Sequence, residues 1–179
     1  MTVIDTKSEG VLIIEPKVFG DHLGCFKESC QVERYAELGI NFPFVKDNHP
    51  RSQKGVLRGL QLQETRSQVK LGSCLSGFVF YVVVYGKPNA DTFGHYVLKL
   101  TEVDHRHLWI AKGYAHGFCV LSDVADLQYK CSDLYFPEYE GATCEDHEVA
   151  IVLPIQQPDL FEKDQRLPFL AQIPGNGVV

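Results

Sequence analysis

From residue 55 onward, apolar and polar side chains alternate in short runs separated by glycine-rich turns. Residues 55–63 set the pattern. Val56, Leu57, Leu60 and Leu62 supply apolar bulk while Arg58, Gln61 and Gln63 supply polar groups, as in a half-buried strand. Further strands are predicted over residues 67–71, 77–85, 94–102, 107–111, 118–121 and 125–131, with turns at 86–89 and 112–117. Before this series, residues 11–15 read as a strand stopped by Pro16, and 18–24 as a glycine-bracketed loop. Residues 25–30 look extended, and 31–38 form the best helix candidate, ended by Gly39. Residues 42–48 read as a short strand or loop, and 49–54 as a turn-rich connection. Short strands at this spacing predict an all-β sandwich or barrel in one domain spanning residues 1–179. The tail, 154–179, carries four of the nine prolines and is expected to wrap the barrel, with one short helix.

Arginine and glutamine inside such a run are unusual, because a buried polar group left unpaired costs roughly 1–3 kcal/mol. An inward Arg58 predicts a polar cavity that accepts an anion. Other residues admit two readings each. His116, bracketed by Gly113 and Gly117, is either at a cavity rim or a structural histidine bonded to a neighbouring loop. Tyr129 is a proton donor if it faces a cavity and a packed core tyrosine if it does not. Lys70 stabilises a developing enolate if it points inward and is a solvated edge charge if it points outward. The charges at 162–164 read by default as a solvated cluster.

The chain has 179 residues, 45% hydrophobic and 22% charged, enough for one full core. A net charge of −6 without any Lys/Arg run argues against nucleic acid or an anionic membrane as partner. The longest apolar run, 78–85, is too short to span a bilayer, and acidic residues interrupt the N-terminus, which lacks a signal-peptide shape. A cytoplasmic protein with six reduced cysteines, none in a CxxC pair, is the expectation. No HxH pair occurs, and Gln61 and Gln63 are poor transition-metal ligands, so no metal is expected. Phosphate-binding glycine loops and a GxSxG elbow are also absent, and no cofactor is implied.

Taken together, several segments resemble the dTDP-4-dehydrorhamnose 3,5-epimerase family of the cupin superfamily. They are Glu15-Pro-Lys-Val-Phe-Gly-Asp21, Phe26-Lys-Glu-Ser29, Asp47-Asn48, Gly55-Val-Leu-Arg-Gly-Leu60, Gln68-Val-Lys-Leu71, Thr92-Phe-Gly94, Leu108-Trp-Ile110, Ala115-His-Gly-Phe118, Leu121-Ser-Asp123, Tyr129-Lys-Cys131 and Glu162-Lys-Asp164. The resemblance implies a cupin-type jelly-roll β-barrel with short peripheral helices, and a homodimer that exchanges N-terminal strands. It also implies a metal-free site for a nucleotide-sugar substrate, a dTDP-4-keto-6-deoxyhexose of deoxysugar and polysaccharide biosynthesis. In the family's chemistry the C4 carbonyl acidifies the protons at C3 and C5. A histidine removes them, a tyrosine returns protons on the other face, and a lysine stabilises the enolate. By resemblance Tyr129 is the acid and Lys70 the oxyanion partner. Arg58 and Glu28 hold the diphosphate and its surroundings, and Lys46, Asp47 and Asn48 line the pocket. His116 sits by the sugar, Tyr135 stacks on thymine, Glu140 and Lys163 add polar contacts, and Asp164 orients the base.

The chain departs from this pattern at the base itself, where Gln61 stands at the histidine position and leaves Asp164 without an imidazole partner. A neutral amide cannot cycle a proton near pH 7. Leu23 stands for an arginine, Val69 for a glycine, Tyr81 and Tyr85 for aspartates, Ala111 for a proline and Cys144 for a tryptophan. Three readings stay open. One is an epimerase whose base is His116 or a water held by Asp164, working at one or both carbons. Another is a related isomerase of 4-keto sugars. The third is a catalytically impaired homologue that binds a sugar nucleotide or a partner protein.

Overall fold

The computed structural model describes residues 1–6, 8, 10–63, 66–85, 94–136, 140–141 and 151–169. Among them, two antiparallel sheets face each other, as the alternation predicts. One follows the order β1 (Thr2–Asp5), β2 (Val11–Glu15), β11 (His107–Ile110), β8 (Lys70–Ser76), β13 (Val124–Cys131), β5 (Lys46–Asn48), with β6 (Arg51–Gln53) also on β13. The other runs β10 (Gly94–Thr101), β9 (Phe78–Tyr85), β12 (Ala115–Val120), β7 (Val56–Gln63), β14 (Glu140–Gly141), and β15 (Asp159–Leu160) lies parallel to β7. The architecture is an all-β jelly roll.

Alternate residues of both sheets fill the space between them. Val79, Tyr81 and Val83 of β9 meet Leu108 and Ile110 of β11 and Ala125 and Leu127 of β13 in one buried cluster. The opposite faces of β7, β9 and β12 form a second cluster from Leu60, Leu62, Val82, Val84 and Ala115. The predicted helix is α1 (Val32–Glu37), capped by the Gln31 side chain, which accepts from the Arg34 N–H at 2.6 Å. It buries Tyr35 against the outer side of the first sheet with Ile14, Val69 and Leu71.

Three expectations change. Residues 18–24 are part of a hairpin, β3 (Val18–Asp21) with β4 (Gly24–Lys27), rather than a loop. The connection at 49–54 contains β6. Only 112–113 are turn at the predicted tight turn, and His116 is an interior residue of β12, hydrogen-bonded into the sheet between β7 and β9. In the tail, residues 159–160 pair with β7 and Asp164–Arg166 make a single 3₁₀ turn. Cys144 and the first two residues of the Thr92-Phe-Gly94 segment lie outside the described residues.

Candidate active site

Strand β7 carries the feature that opens the cavity. Its partner β12 advances two residues, His116 to Phe118, while β7 advances three, Gln61 back to Arg58. This bulge switches which parity points inward, so Arg58 on one side and Gln61 and Gln63 on the other all reach the barrel interior. Gly59 makes it possible. Its φ is 105°, and an added Cβ would lie 2.7 Å from the His116 carbonyl oxygen and 2.8 Å from Gly117 Cα. Gly117 opposite is equally confined, since its Cβ would lie 2.5 Å from the Arg58 carbonyl oxygen.

The bulge also leaves the Gly59 N–H pointing away from the ladder, where it donates to Asp164 Oδ2 at 3.1 Å. The other carboxylate oxygen accepts from Gln61 Nε2, also at 3.1 Å. Asp164 is 1% exposed and belongs to no solvated cluster. The Gln61 amide thus fills the partnership that the sequence left vacant. With the NH₂ end held by a group that only accepts, the amide is fixed in orientation.

Two adjoining chambers, about 300 Å³ and about 130 Å³, share Gln61, Lys70, His116 and Tyr129 as common wall. The register explains the gathering. In one sheet Lys46, Cys131 and Lys70 lie side by side across β5, β13 and β8, with Asn48 beside Tyr129 in the next row. In the other sheet Gln61 and His116 are neighbours, and so are Arg58, Phe118 and Tyr81. Cationic and phenolic groups of one sheet therefore face amide, imidazole and guanidinium groups of the other.

Lys70 is held in the wall that the two chambers share. Its ammonium donates to Gln68 Oε1 and to Cys131 Sγ at 3.2 Å and lies 5.4 Å from the centre of the Tyr129 ring. Gln68 is itself held by the Leu134 carbonyl. Arg58 Nε donates to Ser52 Oγ at 3.0 Å, which aims the guanidinium into the smaller chamber. His116 Nδ1 lies 3.3 Å from the Tyr114 carbonyl oxygen, and its ring is nearly parallel to Tyr81, at 5°. Burial first, then the Lys70 charge, lower its pKa from 6.5 to about 4. Burial pushes the Tyr81 phenol upward. At the mouth, Lys46 and Lys163 stand 5.7 and 4.9 Å from the centre of the half-exposed Tyr135 ring.

The remaining expected residues separate. β5 alternates, so Lys46 and Asn48 line the cavity while Asp47 faces away and pairs with Lys130 at 2.8 Å. Placing all three in the pocket conflicts with the two-residue period of a strand. Glu28 pairs with Arg34 and does not reach its own chain's cavity. Glu140 pairs through its backbone with Gln63, and its side chain lies outside the described ones. Gln63, Ser67, Gln68, Tyr81 and Tyr114 line the chambers without having been singled out as site residues. Gln63, two residues after Gln61 on one strand, was the available signal. Among the described residues, no group of three His, Cys, Asp or Glu could hold a metal ion.

A family model for dTDP-4-dehydrorhamnose 3,5-epimerase matches residues 5–172. The chain belongs to this family. It is 46% identical over 172 residues to the Escherichia coli K12 dTDP-4-dehydrorhamnose 3,5-epimerase, covering 93% of each chain. The structure superposes with a TM-score of 0.90 on the Legionella pneumophila dTDP-6-deoxy-D-glucose-3,5-epimerase in complex with dTDP-4-keto-L-rhamnose. That pair is 45% identical and covers 96% of this chain and 94% of the other. A 4-keto-6-deoxy sugar epimerase from the novobiocin gene cluster of Streptomyces spheroides superposes at 0.89 with 34% identity, covering 96% and 88%. The family's members are isomerases, and this chain carries its fold and a cavity at the barrel's polar centre.

Proposed function

We propose that the protein epimerises a dTDP-4-keto-6-deoxyhexose at C3, C5 or both. The observation that carries this reading is the placement of Lys70 and Tyr129 on adjacent strands, facing one cavity across from Gln61 and His116. A carbonyl oxygen beside the Lys70 ammonium gains stabilisation as it becomes an enolate oxygen. The neighbouring Tyr129 hydroxyl supplies the returning proton. Arg58 in the inner chamber, with Lys46 and Lys163 around Tyr135 at the mouth, provides positive charge and an aromatic face suited to a thymidine diphosphate.

The homodimer belongs to the same proposal. The β3–β4 hairpin pairs only with itself among the described residues and exposes Phe19, Leu23 and Phe26, an apolar surface suited to a second copy. A diphosphate role for Glu28, which follows this hairpin, requires that it come from the partner subunit. Sedimentation velocity should give a dimer.

The test is proton NMR of dTDP-4-keto-6-deoxyglucose with the protein in D₂O. Washout of the C3 or C5 hydrogen above a no-protein control is expected. Binding of the nucleotide without any exchange overturns the epimerase reading.

A further inference from the structure

We propose that His116 is the base that removes the proton beside the sugar carbonyl, acting through Nε2. This rests on the epimerase reading. Among the described residues no carboxylate lines either chamber. Asp164 is sealed from both, each oxygen taken up by Gly59 N–H or Gln61 Nε2. The lining ammonium and guanidinium groups have no lone pair to offer, and amides have no usable basicity. The phenols are proton donors at neutral pH. The imidazole of His116 is the one lining group among the described residues whose neutral form offers a ring-nitrogen lone pair able to take up a proton.

The surroundings of the imidazole fix which nitrogen acts. The Tyr114 carbonyl can only accept, so Nδ1 carries the hydrogen and Nε2 carries the lone pair. The ring lies near-parallel to Tyr81 from β9. The titratable and charged groups facing it are Lys70 on β8, Tyr81 on β9, Tyr129 on β13 and Arg58 on β7. The Lys70 charge opposes imidazolium formation and favours the enolate. The step balances as follows. The C–H bond breaks, its proton bonds to Nε2, and its electron pair forms the enolate, with charge on the oxygen near Lys70. Tyr129 O–H then protonates the same carbon from the other face. The imidazolium and phenolate return to their starting forms by proton exchange with water.

The assignment makes the acid side of the pH profile distinctive. With its pKa near 4, His116 keeps its lone pair down to about pH 5, whereas an ordinary histidine base loses it near 6.5. The experiment measures C3 and C5 exchange in D₂O for the full chain and for His116→Gln, with dTDP affinity measured by calorimetry on both. A loss of about 10²-fold or more in exchange, with dTDP affinity kept within about threefold, is expected. Exchange retained within about tenfold in His116→Gln overturns the assignment and points to another base, such as a water held near Asp164. Where His116→Gln fails to bind dTDP, the parent's kcat/KM profile decides. An acid limb below about pH 5 supports His116, and one at or above about pH 6 overturns it. If the parent protein binds dTDP and exchanges neither hydrogen, the epimerase reading falls and takes this assignment with it.

Discussion

Asp164→Ala tests the clamp between the tail and the bulged strand. The carboxylate is 1% exposed and accepts two hydrogen bonds at 3.1 Å, one from a backbone N–H and one from a side-chain amide. The Gln61 amide can swing toward cavity water once its acceptor is gone. The Gly59 N–H cannot, because Gly59 is wedged against the His116 carbonyl and Gly117. One fully orphaned donor costs about 1–3 kcal/mol, and the small cavity left by the side chain adds to it, so a loss of about 2–3 kcal/mol is expected. For a chain of 179 residues this lowers Tm by about 4–12 °C. Urea unfolding and calorimetry would measure it. A double-mutant cycle with Gln61→Ala should give a coupling of about 0.5–3 kcal/mol. A stability change below about 0.5 kcal/mol together with additive behaviour would refute the clamp.

Other consequences can be checked independently. Gly59→Ala forces a side chain into positive φ and into backbone contacts below 3.0 Å, so it should cost at least about 2 kcal/mol in unfolding and weaken dTDP binding. Gln61→His places an imidazole beside the Asp164 carboxylate and should raise C–H exchange by about 10²-fold or more. No gain would count against an otherwise competent site. Lys163→Ala removes a cation from the mouth and should weaken dTDP binding while flattening its dependence on salt, as titrations at two ionic strengths would show. His107 is buried against Tyr35, and burial lowers its pKa from 6.5 to about 4. The unfolded chain takes up this proton between pH 6.5 and 4 and the folded chain does not. This group's contribution is therefore full above pH 6.5 and falls on acidification, by about 2 kcal/mol at pH 5, a part of the slope that His107→Gln should remove.

The barrel was legible because strand alternation is a local signal. Residues 55–63, 77–85 and 125–131 all became strands close to the expected bounds. The polar positions 58, 61 and 63 carried more than was drawn from them. Their spacing of three and then two breaks the period of a flat strand and marks the bulge at Gly59. The same period would have turned Asp47 away from Lys46 and Asn48. His116 was misplaced in a turn because glycines on both sides look like turn punctuation, whereas Gly117 is small to let β7 bulge against it. The Asp164 contact was not readable locally. A charged triplet looks solvated until a strand 105 residues earlier offers it a spare N–H. Tyr81 stood out in the sequence only as a departure from the family pattern, and its run of apolar neighbours gave no sign that it lines the cavity beside His116.

That long separation also sets an order of assembly. A ribosome releases β7, β12 and β13 well before residue 164, so the sheets can pair while Gln61 still has no fixed acceptor. The cavity then receives this restraint from a stretch made about a hundred residues after β7. A nascent or proteolytically clipped protein lacking that stretch would keep a closed barrel with a loose wall facing the sugar. Shortening the tail thus becomes a way to separate having the fold from having the enzyme.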